Sequence, residues 1–485
     1  MTDNEKQTSL LNKNQLLQAT GAHLISAKNE CCFTSVQTDS RNVVPEALFV
    51  PLRGENQNGH KYIPQALEKG ASVVFVDEKE YSENQSIYKE LCGKYPAVAF
   101  VCVKNNLHAL QNAAEAYVAQ FSDLIKISIT GSSGKTTTKE MLASVLRRHF
   151  GKEGVICTEG NLNSETGLPL SVFKIKGTEK VGVFEMGMNR VDEIGEISKV
   201  LKSKYGIITN IGNAHIGILG SRKNIAIEKR KSFKYIPQDG AAFIPEDDEF
   251  ADFCTEEVKG KVVKYGASCA ANFGVEFIKD DGLAGTVFSV DGVVVKLPLS
   301  GKYNYQNALG VVALAKELGV SAAEIKAGLE GMEAVSGRME TKEIKTITGK
   351  TVCLIADCYN ANPDSMCKVI EFCSSLTARK VFVLGDMKEL GDKAAAEHRG
   401  VAQKVVAVGA DYVCLVGSEM KNAADYFEEN NYHNYSYFKE NDEAGSRLIA
   451  EKLLSVLDNG DILLLKGSHS MELEKIIPLL EGGVK

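Results

Sequence analysis

The residues most directly able to do chemistry are Lys135 and Thr136, which follow a glycine- and serine-rich loop at residues 131–134. An apolar run at residues 125–129 precedes the loop and a helical segment follows it, which predicts a strand, a loop and a helix. Glycine lets a backbone approach an anion closely, and the N–H groups of a helix N-terminus attract negative charge. We therefore predict a phosphate site in which Lys135 reaches the β- and γ-phosphates and Thr136 holds Mg²⁺.

This loop departs from the commonest phosphate-loop spacing. The pattern G-x-x-x-x-G-K-[ST] requires a glycine at position 129, where this chain has Ile129. The alternative is an ordinary strand-to-helix turn, but Lys-Thr-Thr at the start of the helix favours phosphate binding. The predicted phosphate contacts are Gly131, Ser132, Ser133, Gly134, Lys135, Thr136 and Thr137.

Polar side chains also follow two other apolar runs. Glu185 ends the run that begins at residue 181, and His215 follows the run at residues 205–211. Ligands of open parallel sheets gather beyond the carboxyl ends of the strands. Glu185 is therefore a candidate oxygen ligand for Mg²⁺. A structural role is the alternative for both the carboxylate and the lone histidine.

Lys229 shares a predicted helix face with two large apolar residues. In a helix over residues 222–235, Ile225, Lys229 and Phe233 follow one another at intervals of four. Such a lysine usually extends its ammonium group to the edge of the apolar surface. Alternatively, burial lowers its pKa and leaves a free amine that can react with CO₂. The resulting carbamate would be an anion able to ligate Mg²⁺.

Four further segments are dense in polar residues beside apolar runs. They are residues 38–41, 160–167, 357–365 and 466–470. Each taken alone is also compatible with a turn stabilised by Asn, Asp or Ser caps.

The elements that would position these residues form an α/β protein with three domains. We predict a small α/β domain at residues 1–107, and a central domain at 108–334 whose apolar strands alternate with helices, as in a parallel sheet. Within it, turn signals at 281–282 and 291–292 predict an antiparallel appendage. Residues 335–485 predict a second doubly wound domain.

Composition excludes several classes of protein. The net charge of −7 argues against a general nucleic-acid binder, which needs a basic surface. No apolar run approaches the roughly 20 residues that span a bilayer, and the first six residues carry no signal-peptide pattern. We therefore expect a cytoplasmic protein without a membrane span. Its twelve cysteines include no C-x-x-C pair, which predicts reduced, mostly buried thiols.

Together these segments resemble the Mur ligase family, whose members form amide bonds in peptidoglycan precursors at the expense of ATP. The segments that carry the resemblance are residues 38–41, 129–137, 160–163, 185–188, 208–215 and 357–363, and they span nearly the whole chain. The asparagine-rich and Tyr-Asn-Ala-Asn-Pro segments most resemble the member that joins D-alanyl-D-alanine to UDP-N-acetylmuramoyl-tripeptide. The resemblance implies a Rossmann-like C-terminal domain that closes on ATP, and we expect a monomer.

The resemblance also implies roles for individual residues. Lys135, Glu185, His215 and Lys229 would be catalytic, with Thr136, Glu185, His215 and carbamylated Lys229 serving two Mg²⁺ ions. Further ATP contacts would come from Asn304, Asn307, Arg338 and Asp357. The UDP substrate would be held by Ser40, Arg41, Asn161, Asn163 and Thr166, and the acceptor by Asn360, Asn362 and Ser468.

Two residues differ from the family pattern on the adenine side. Tyr303 replaces the usual histidine of G-x-H-N-x-x-N, and Pro245 begins a segment that often reads Asn-Ala-Asp-Asp. Two alternatives to the implied activity remain open. One is a sister ligase, including folylpolyglutamate synthetase, with a different acceptor. The other is a phosphate-loop switch protein that controls a partner.

Overall fold

The computed structural model describes residues 9–25, 31–54, 57–332 and 337–483. The first six residues and the predicted domain boundary at residues 334 and 335 lie outside the described residues. Each of the three predicted regions contains its own β-sheet, and no helix among the described residues is long and apolar enough to cross a membrane.

The N-terminal part is built on a five-stranded sheet with the strand order β1-β5-β4-β3-β2. Strand β1 is antiparallel to β5, whereas the other neighbours are parallel. The strands are β1 (His23–Leu24), β2 (Ser35–Gln37), β3 (Ala47–Phe49), β4 (Val73–Asp77) and β5 (Ala99–Val103). The helices are α1 (Lys13–Thr20), α2 (Ile63–Glu68), α3 (Glu78–Glu83), α4 (Gln85–Lys94) and α5 (Asn106–Val118).

The central part holds a six-stranded, wholly parallel sheet with the order β11-β10-β9-β6-β8-β7. Its strands are β6 (Ile125–Thr130), β7 (Val155–Cys157), β8 (Val181–Glu185), β9 (Tyr205–Ile208), β10 (Ala241–Pro245) and β11 (Lys261–Tyr265). Its helices are α6 (Lys135–Phe150), α7 (Gly167–Val172), α8 (Glu193–Leu201), α9 (Ile216–Leu219), α10 (Arg222–Arg230), α11 (Ala251–Thr255), α12 (Lys302–Glu317) and α13 (Ala322–Glu330).

The predicted antiparallel appendage is confirmed, and it forms a separate three-stranded sheet. Its strands are β12 (Val275–Asp280), β13 (Thr286–Val290) and β14 (Val293–Leu297). The two-residue turn between β13 and β14 places Asp291 and Gly292 at positive φ, 46° and 79°, as a tight hairpin turn requires.

The C-terminal part contains a second six-stranded sheet, with the order β15-β16-β20-β17-β18-β19. Only β15 runs antiparallel to its neighbour. The strands are β15 (Glu340–Lys345), β16 (Thr351–Asp357), β17 (Lys380–Gly385), β18 (Tyr412–Val416), β19 (Tyr435–Phe438) and β20 (Ile462–Lys466). The helices are α14 (Pro363–Ser374), α15 (Ala394–Val408), α16 (Lys421–Glu429), α17 (Glu443–Val456) and α18 (Ile476–Glu481).

Two predicted elements end earlier than the sequence pattern indicated. The strand predicted over 205–211 ends at Ile208, and beyond it the side chains of Thr209 and Asn210 bond to the loop of residues 131–134. The helix predicted over 222–235 ends at Arg230 and continues as a 3₁₀ turn over Lys231–Phe233. Even so, Ile225, Lys229 and Phe233 are all buried, as the spacing predicted.

The central and C-terminal parts are in direct contact. Buried apolar residues form one continuous cluster that includes Phe33, Phe184 and Phe382, one from each part of the chain. Closer to the carboxyl ends of the strands, the N–H of Gly217 in α9 donates to the carbonyl of Glu389 at 3.2 Å. A Cβ atom at Gly217 would lie 2.4–2.6 Å from the backbone of residues 389–391.

We expect Gly217→Ala to weaken the docking of the C-terminal part. Backbone atoms cannot move aside as a side chain can, and such overpacking costs about 1–3 kcal/mol. Small-angle X-ray scattering should show a larger radius of gyration, and any activity that needs groups from both parts should fall about tenfold or more. The matched control is Gly400→Ala in α15, where an added Cβ meets nothing within 4 Å. An unchanged scattering curve and unchanged activity for Gly217→Ala would contradict the docking described here.

Candidate active site

The loop between β6 and α6 has the open shape that a phosphate group requires. Gly131 and Gly134 adopt φ of 155° and 79°, which disfavour any side chain. A Cβ at Gly131 would lie 1.8 Å from Thr209 Oγ1, and one at Gly134 would lie 2.7 Å from Asn307 Nδ2. The two glycines are therefore needed both for backbone conformation and for close packing.

Residues that follow β9 hold this loop in place. Thr209 Oγ1 donates to the Ser133 carbonyl at 2.6 Å, and Asn210 Oδ1 accepts the Ser133 N–H at 3.1 Å. The N–H of Gly212 donates to Ser132 Oγ at 2.9 Å. Because β6 and β9 are neighbours in the sheet, the end of one strand supports the loop that follows the other.

Lys135 lies inside the curve of the loop. Its Nζ donates to the Gly131 carbonyl at 2.9 Å. Burial lowers the pKa of this lysine and Arg338 adds to the effect, whereas the Glu185 and Glu389 carboxylates oppose it. A half-buried cation that lines a cavity without a close carboxylate partner is suited to an anionic ligand such as a phosphate.

Glu185 lies at the end of β8, close to the start of α6. Its Oε2 accepts the Thr136 hydroxyl at 2.8 Å, and its Oε1 accepts Asn163 Nδ2 at 2.7 Å. The backbone N–H of Glu185 donates to Thr158 Oγ1 at 3.0 Å. Thus a hydroxyl and a carboxylate, both oxygen donors, stand side by side next to the phosphate loop.

Lys229 is a fully buried amine without a charge partner. It is 1% exposed, and its amine makes no hydrogen bond or ion pair with the described residues. Burial lowers its pKa well below the ordinary value, and the nearby Lys135 lowers it further, against weaker opposing effects of Glu228 and Cys254. The side chain of this lysine is therefore buried and does not extend to solvent, whereas the reaction of its amine with CO₂ stays a prediction.

His215 joins the central part to the C-terminal part. Its Nδ1 lies 2.6 Å from Glu389 Oε2, although the angle is too poor for a hydrogen bond. Burial lowers the pKa of the imidazole, the Glu389 carboxylate opposes this shift, and the charges of Lys229 and Lys135 add to it. The histidine thus belongs to the same electrostatic cluster as the two lysines.

A cavity of about 1240 Å³ lies over the phosphate loop, between the central and C-terminal parts. Asn304 donates from its Nδ2 to the Ser300 carbonyl at 2.8 Å, and Arg338 faces Lys135 from the C-terminal part. The predicted site residues that line this cavity are Ser132, Ser133, Gly134, Lys135, Thr136, Thr137, Asn161, Asn163, Glu185, His215, Asn304, Asn307, Arg338, Asp357, Asn360 and Asn362. Pro245 and Tyr303, the two residues that differ from the family pattern, also line it.

Other predicted residues lie outside this cavity. Ser40 is buried in the N-terminal part and donates to Gln65 Oε1 at 2.7 Å, whereas Arg41 is exposed and pairs with Asp39. Thr166 precedes α7, with its Oγ1 3.2 Å from Ser164 Oγ. Gly131 and Lys229 are buried and do not line this cavity.

A second, smaller cavity of about 190 Å³ adjoins the first and is shared by His215, Asn360, Asn362 and Glu389. Ser468, the remaining predicted acceptor residue, borders it together with Lys388. Ser468 Oγ accepts the Lys388 N–H at 3.1 Å. The consecutive residues Lys388 and Glu389 thus both border this cavity, and Lys388 Nζ lies 3.2 Å from Asp386 Oδ2.

Sequence reasoning missed several residues of this site. Lys388 and Glu389 follow β17, and charged residues directly after an apolar strand are a signal that could have found them. Lys466 begins one of the four polar segments, but no role was predicted for it. Its buried Nζ donates to Asp357 Oδ2 at 2.6 Å, so the Asp357 carboxylate already has a protein partner in the cavity.

Comparison with known proteins gives a consistent result over the whole chain. Residues 33–118 match the family model described as Mur ligase family, catalytic domain. Residues 129–315 match the Mur ligase middle domain, and residues 337–469 match the Mur ligase, glutamate ligase domain.

Similar proteins and structures extend over almost the same length. A UDP-N-acetylmuramoyl-tripeptide–D-alanyl-D-alanine ligase from Treponema pallidum is 39% identical over 95% of this chain and 96% of its own. One from Bacillus subtilis is 30% identical over 91% of this chain and 92% of its own.

Among solved structures, MurF from Acinetobacter baumannii matches with a TM-score of 0.81 and 28% identity, over 97% of this chain and 98% of that chain. Since these relatives cover nearly the whole chain and three family models match it in order, this chain belongs to the Mur ligase family.

Proposed function

We propose that this chain is the ATP-dependent ligase that joins D-alanyl-D-alanine to the terminal carboxylate of UDP-N-acetylmuramoyl-tripeptide. The observation that carries the proposal is the convergence of Lys135 and Arg338 on one cavity, above a glycine loop at a helix N-terminus. The named activity of the relatives, one of which is 39% identical over 95% of this chain, supports this pair of substrates.

The reaction has two steps. A carboxylate oxygen of the tripeptide attacks the γ-phosphorus of ATP, which forms an acyl phosphate and releases ADP. The amine of D-alanyl-D-alanine then attacks the acyl carbon, which forms the amide and releases phosphate. Lys135, Arg338 and the loop N–H groups would stabilise the charge that moves between phosphate oxygens. The docked C-terminal part would exclude water, which otherwise hydrolyses the acyl phosphate.

The oxygen donors beside the loop fit Mg²⁺. Proteins usually bind Mg²⁺ through one or two carboxylates together with substrate phosphates, rather than through a complete protein cage. In agreement, the described residues contain no group of three His, Cys, Asp or Glu side chains able to hold a metal. Thr136 and Glu185 would hold the ion with ATP oxygens, and His215 would support a second ion. Bound Mg²⁺ would neutralise phosphate charge.

Lys229 fits a carbamate. A neutral amine reacts with CO₂, whereas an ammonium group does not, and burial beside Lys135 favours the neutral form. A carbamate would turn the uncompensated amine into an anion among Lys135, His215 and the proposed metal ions. We propose this modification as part of the working enzyme.

The remaining groups suggest where each substrate binds. Asn304, Asn307 and Tyr303 line the cavity on the side proposed for adenine. The UDP substrate would extend toward the N-terminal part along Asn161, Asn163, Thr166, Ser40 and Arg41. The second cavity, with Asn360, Asn362 and Ser468, would take the acceptor.

We further propose three domains with the predicted limits, residues 1–107, 108–334 and 335–485. As the working form we propose a cytoplasmic monomer.

The direct test is phosphate release from ATP with Mg²⁺ and UDP-N-acetylmuramoyl-tripeptide, with and without D-alanyl-D-alanine, while the product is followed by mass. Release that depends on the dipeptide is expected. Single amino acids as acceptors would instead indicate a sister ligase. Slow ATP hydrolysis indifferent to every acceptor would favour the switch protein.

Lys135→Ala should reduce ligation by at least 10²–10³-fold, the usual loss when one group that stabilises transition-state charge is removed. Its thermal unfolding should stay close to that of the original protein, since Lys135 bonds only to the loop carbonyl. Turnover retained in this variant would contradict the assigned phosphate site.

Lys229→Met tests the buried amine through stability. Because the folded-state pKa of Lys229 is lowered, the unfolded chain binds more protons between that pKa and 10.5, so stability rises with pH there. In CO₂-free buffer at pH 7, the variant should therefore unfold at a higher temperature than the original protein. Bicarbonate should raise the unfolding temperature of the original protein but not of the variant, since a ligand of the folded state stabilises it.

The matched control for this test is Lys223→Met, an exposed lysine on the same helix. It should keep the bicarbonate response and the ligase activity, whereas Lys229→Met should lose both. A bicarbonate response that persists without Lys229 would exclude the carbamate at this position.

Lys388→Met tests the acceptor cavity. A dipeptide carries a carboxylate at its far end, and Lys388 is a half-exposed cation at the border of this cavity, with its Nζ 3.2 Å from Asp386 Oδ2. We expect the KM for D-alanyl-D-alanine to rise about tenfold, with little change in the KM for ATP. The KM for D-alanyl-D-alaninamide, which lacks the carboxylate, should not change in this variant. Lys439→Met, an exposed lysine of the same part, is the control. If Lys388→Met raised the KM for the dipeptide and for its amide equally, the carboxylate of the dipeptide would bind elsewhere.

A further inference from the structure

Three side chains from separate segments of the C-terminal part form a stack at the edge of the ATP cavity. The guanidinium carbon of Arg338 lies 4.1 Å from the centre of the Tyr359 ring. The imidazole of His469 packs against the same tyrosine, with ring centres 5.7 Å apart and planes inclined by 25°. All three residues line the cavity above the phosphate loop.

The backbone on both sides of Arg338 is tied to the segment that carries Tyr359. The Tyr359 N–H donates to the Gly337 carbonyl at 3.1 Å, and the Met339 N–H donates to Asp357 Oδ1 at 3.3 Å. Gly337 adopts φ of 67°, and a Cβ there would contact Tyr359 at 3.4 Å. The main chain of Arg338 is therefore fixed relative to the tyrosine ring.

The Arg338 side chain depends on the ring for its position. Its guanidinium makes no hydrogen bond or ion pair with the described residues, so its N–H donors are available to a ligand. The same charge acts on Lys135 across the cavity. A planar guanidinium stacks well on an aromatic face, and such a contact limits its rotation without using its donors.

We infer that Tyr359, supported by His469, is a positioning residue that holds the Arg338 guanidinium toward the phosphates of ATP. The inference rests on the proposed function, and it assigns the tyrosine of the Tyr-Asn-Ala-Asn-Pro segment a task in nucleotide binding. The contact uses the ring and not the hydroxyl, which makes no hydrogen bond with the described residues. His469 also borders the smaller cavity, so the stack touches both ligand spaces.

The test compares Tyr359→Leu, which removes the ring, with Tyr359→Phe, which keeps it. Tyr359→Leu should raise the KM for ATP and weaken binding of a nonhydrolysable ATP analogue about tenfold, the size of one cation–π contact. The KM for UDP-N-acetylmuramoyl-tripeptide should not change. Tyr359→Phe should restore nucleotide affinity to within about threefold of the original. A loss of folded enzyme would instead lower kcat alone.

A double-mutant cycle shows whether the tyrosine acts through the arginine. In the Arg338→Ala background, Tyr359→Leu should have no further effect on analogue affinity. The matched control is Tyr426→Leu, because Tyr426 forms a comparable pair with Arg399, at 5.4 Å, away from both cavities. This control should bind the analogue normally.

Three results would overturn the inference. The first is that Arg338→Ala and Tyr359→Leu have additive effects on analogue affinity. The second is that Tyr359→Leu binds the analogue as well as the Tyr426→Leu control. The third is that Tyr359→Phe binds it as weakly as Tyr359→Leu. Analogue binding needs no acceptor, so it can succeed or fail independently of ligation. If the original protein does not ligate D-alanyl-D-alanine, the proposed function is wrong, but the analogue-binding measurements still decide whether Tyr359 positions Arg338.

Discussion

The active site depends on the shape of one short loop, and that shape is held from outside the loop. Backbone N–H groups can face an anion only while the chain stays open around it. Here Thr209 and Asn210 bond to Ser133, and Asn307 packs against Gly134, so two other segments prevent the loop from collapsing. The loop is consequently built by the strand that neighbours it in the sheet as much as by its own residues.

Around this loop, Lys135, Lys229 and Arg338 supply three basic groups that form no ion pair with the described residues, although acidic side chains such as Glu185 and Glu389 lie nearby. Lys229 is buried and Lys135 is half-buried, and both lower the pKa of His215. Arg338 adds a third cation from the C-terminal part. Unpaired buried charge is unfavourable in a protein without ligands, and it becomes favourable when a polyphosphate enters. The site is thus arranged for the charged ligand rather than for the stability of the empty protein.

Docking of the C-terminal part completes both cavities. Gly217 approaches the backbone of residues 389–391 so closely that only glycine fits, and His215 meets Glu389 at the same contact. The larger cavity then receives Arg338 and Asp357, and the smaller receives Lys388 and Ser468. A chain whose sheets stayed apart would hold the phosphate loop but would lack the groups that face its ligand.

Much of this protein was readable from the sequence alone. Strand, loop and helix around Lys135 follow from local patterns, and the spacing of Ile225, Lys229 and Phe233 placed the lysine on a buried face. The resemblance to Mur ligases, carried by short segments, indicated the family. Such signals are local, because they depend on residues a few positions apart.

Tertiary structure decided what depends on distant residues. Whether Lys229 is buried without a partner, whether Lys466 occupies the Asp357 carboxylate, and whether Arg338 stacks on Tyr359 depend on segments far apart along the chain. Thr209 was predicted within a strand, but it lies just beyond the end of β9 and its hydroxyl donates to the phosphate loop. Sequence patterns therefore determined the elements and the family. Burial, pairing and cavity shape were set only by packing, because each is a property of the space between elements.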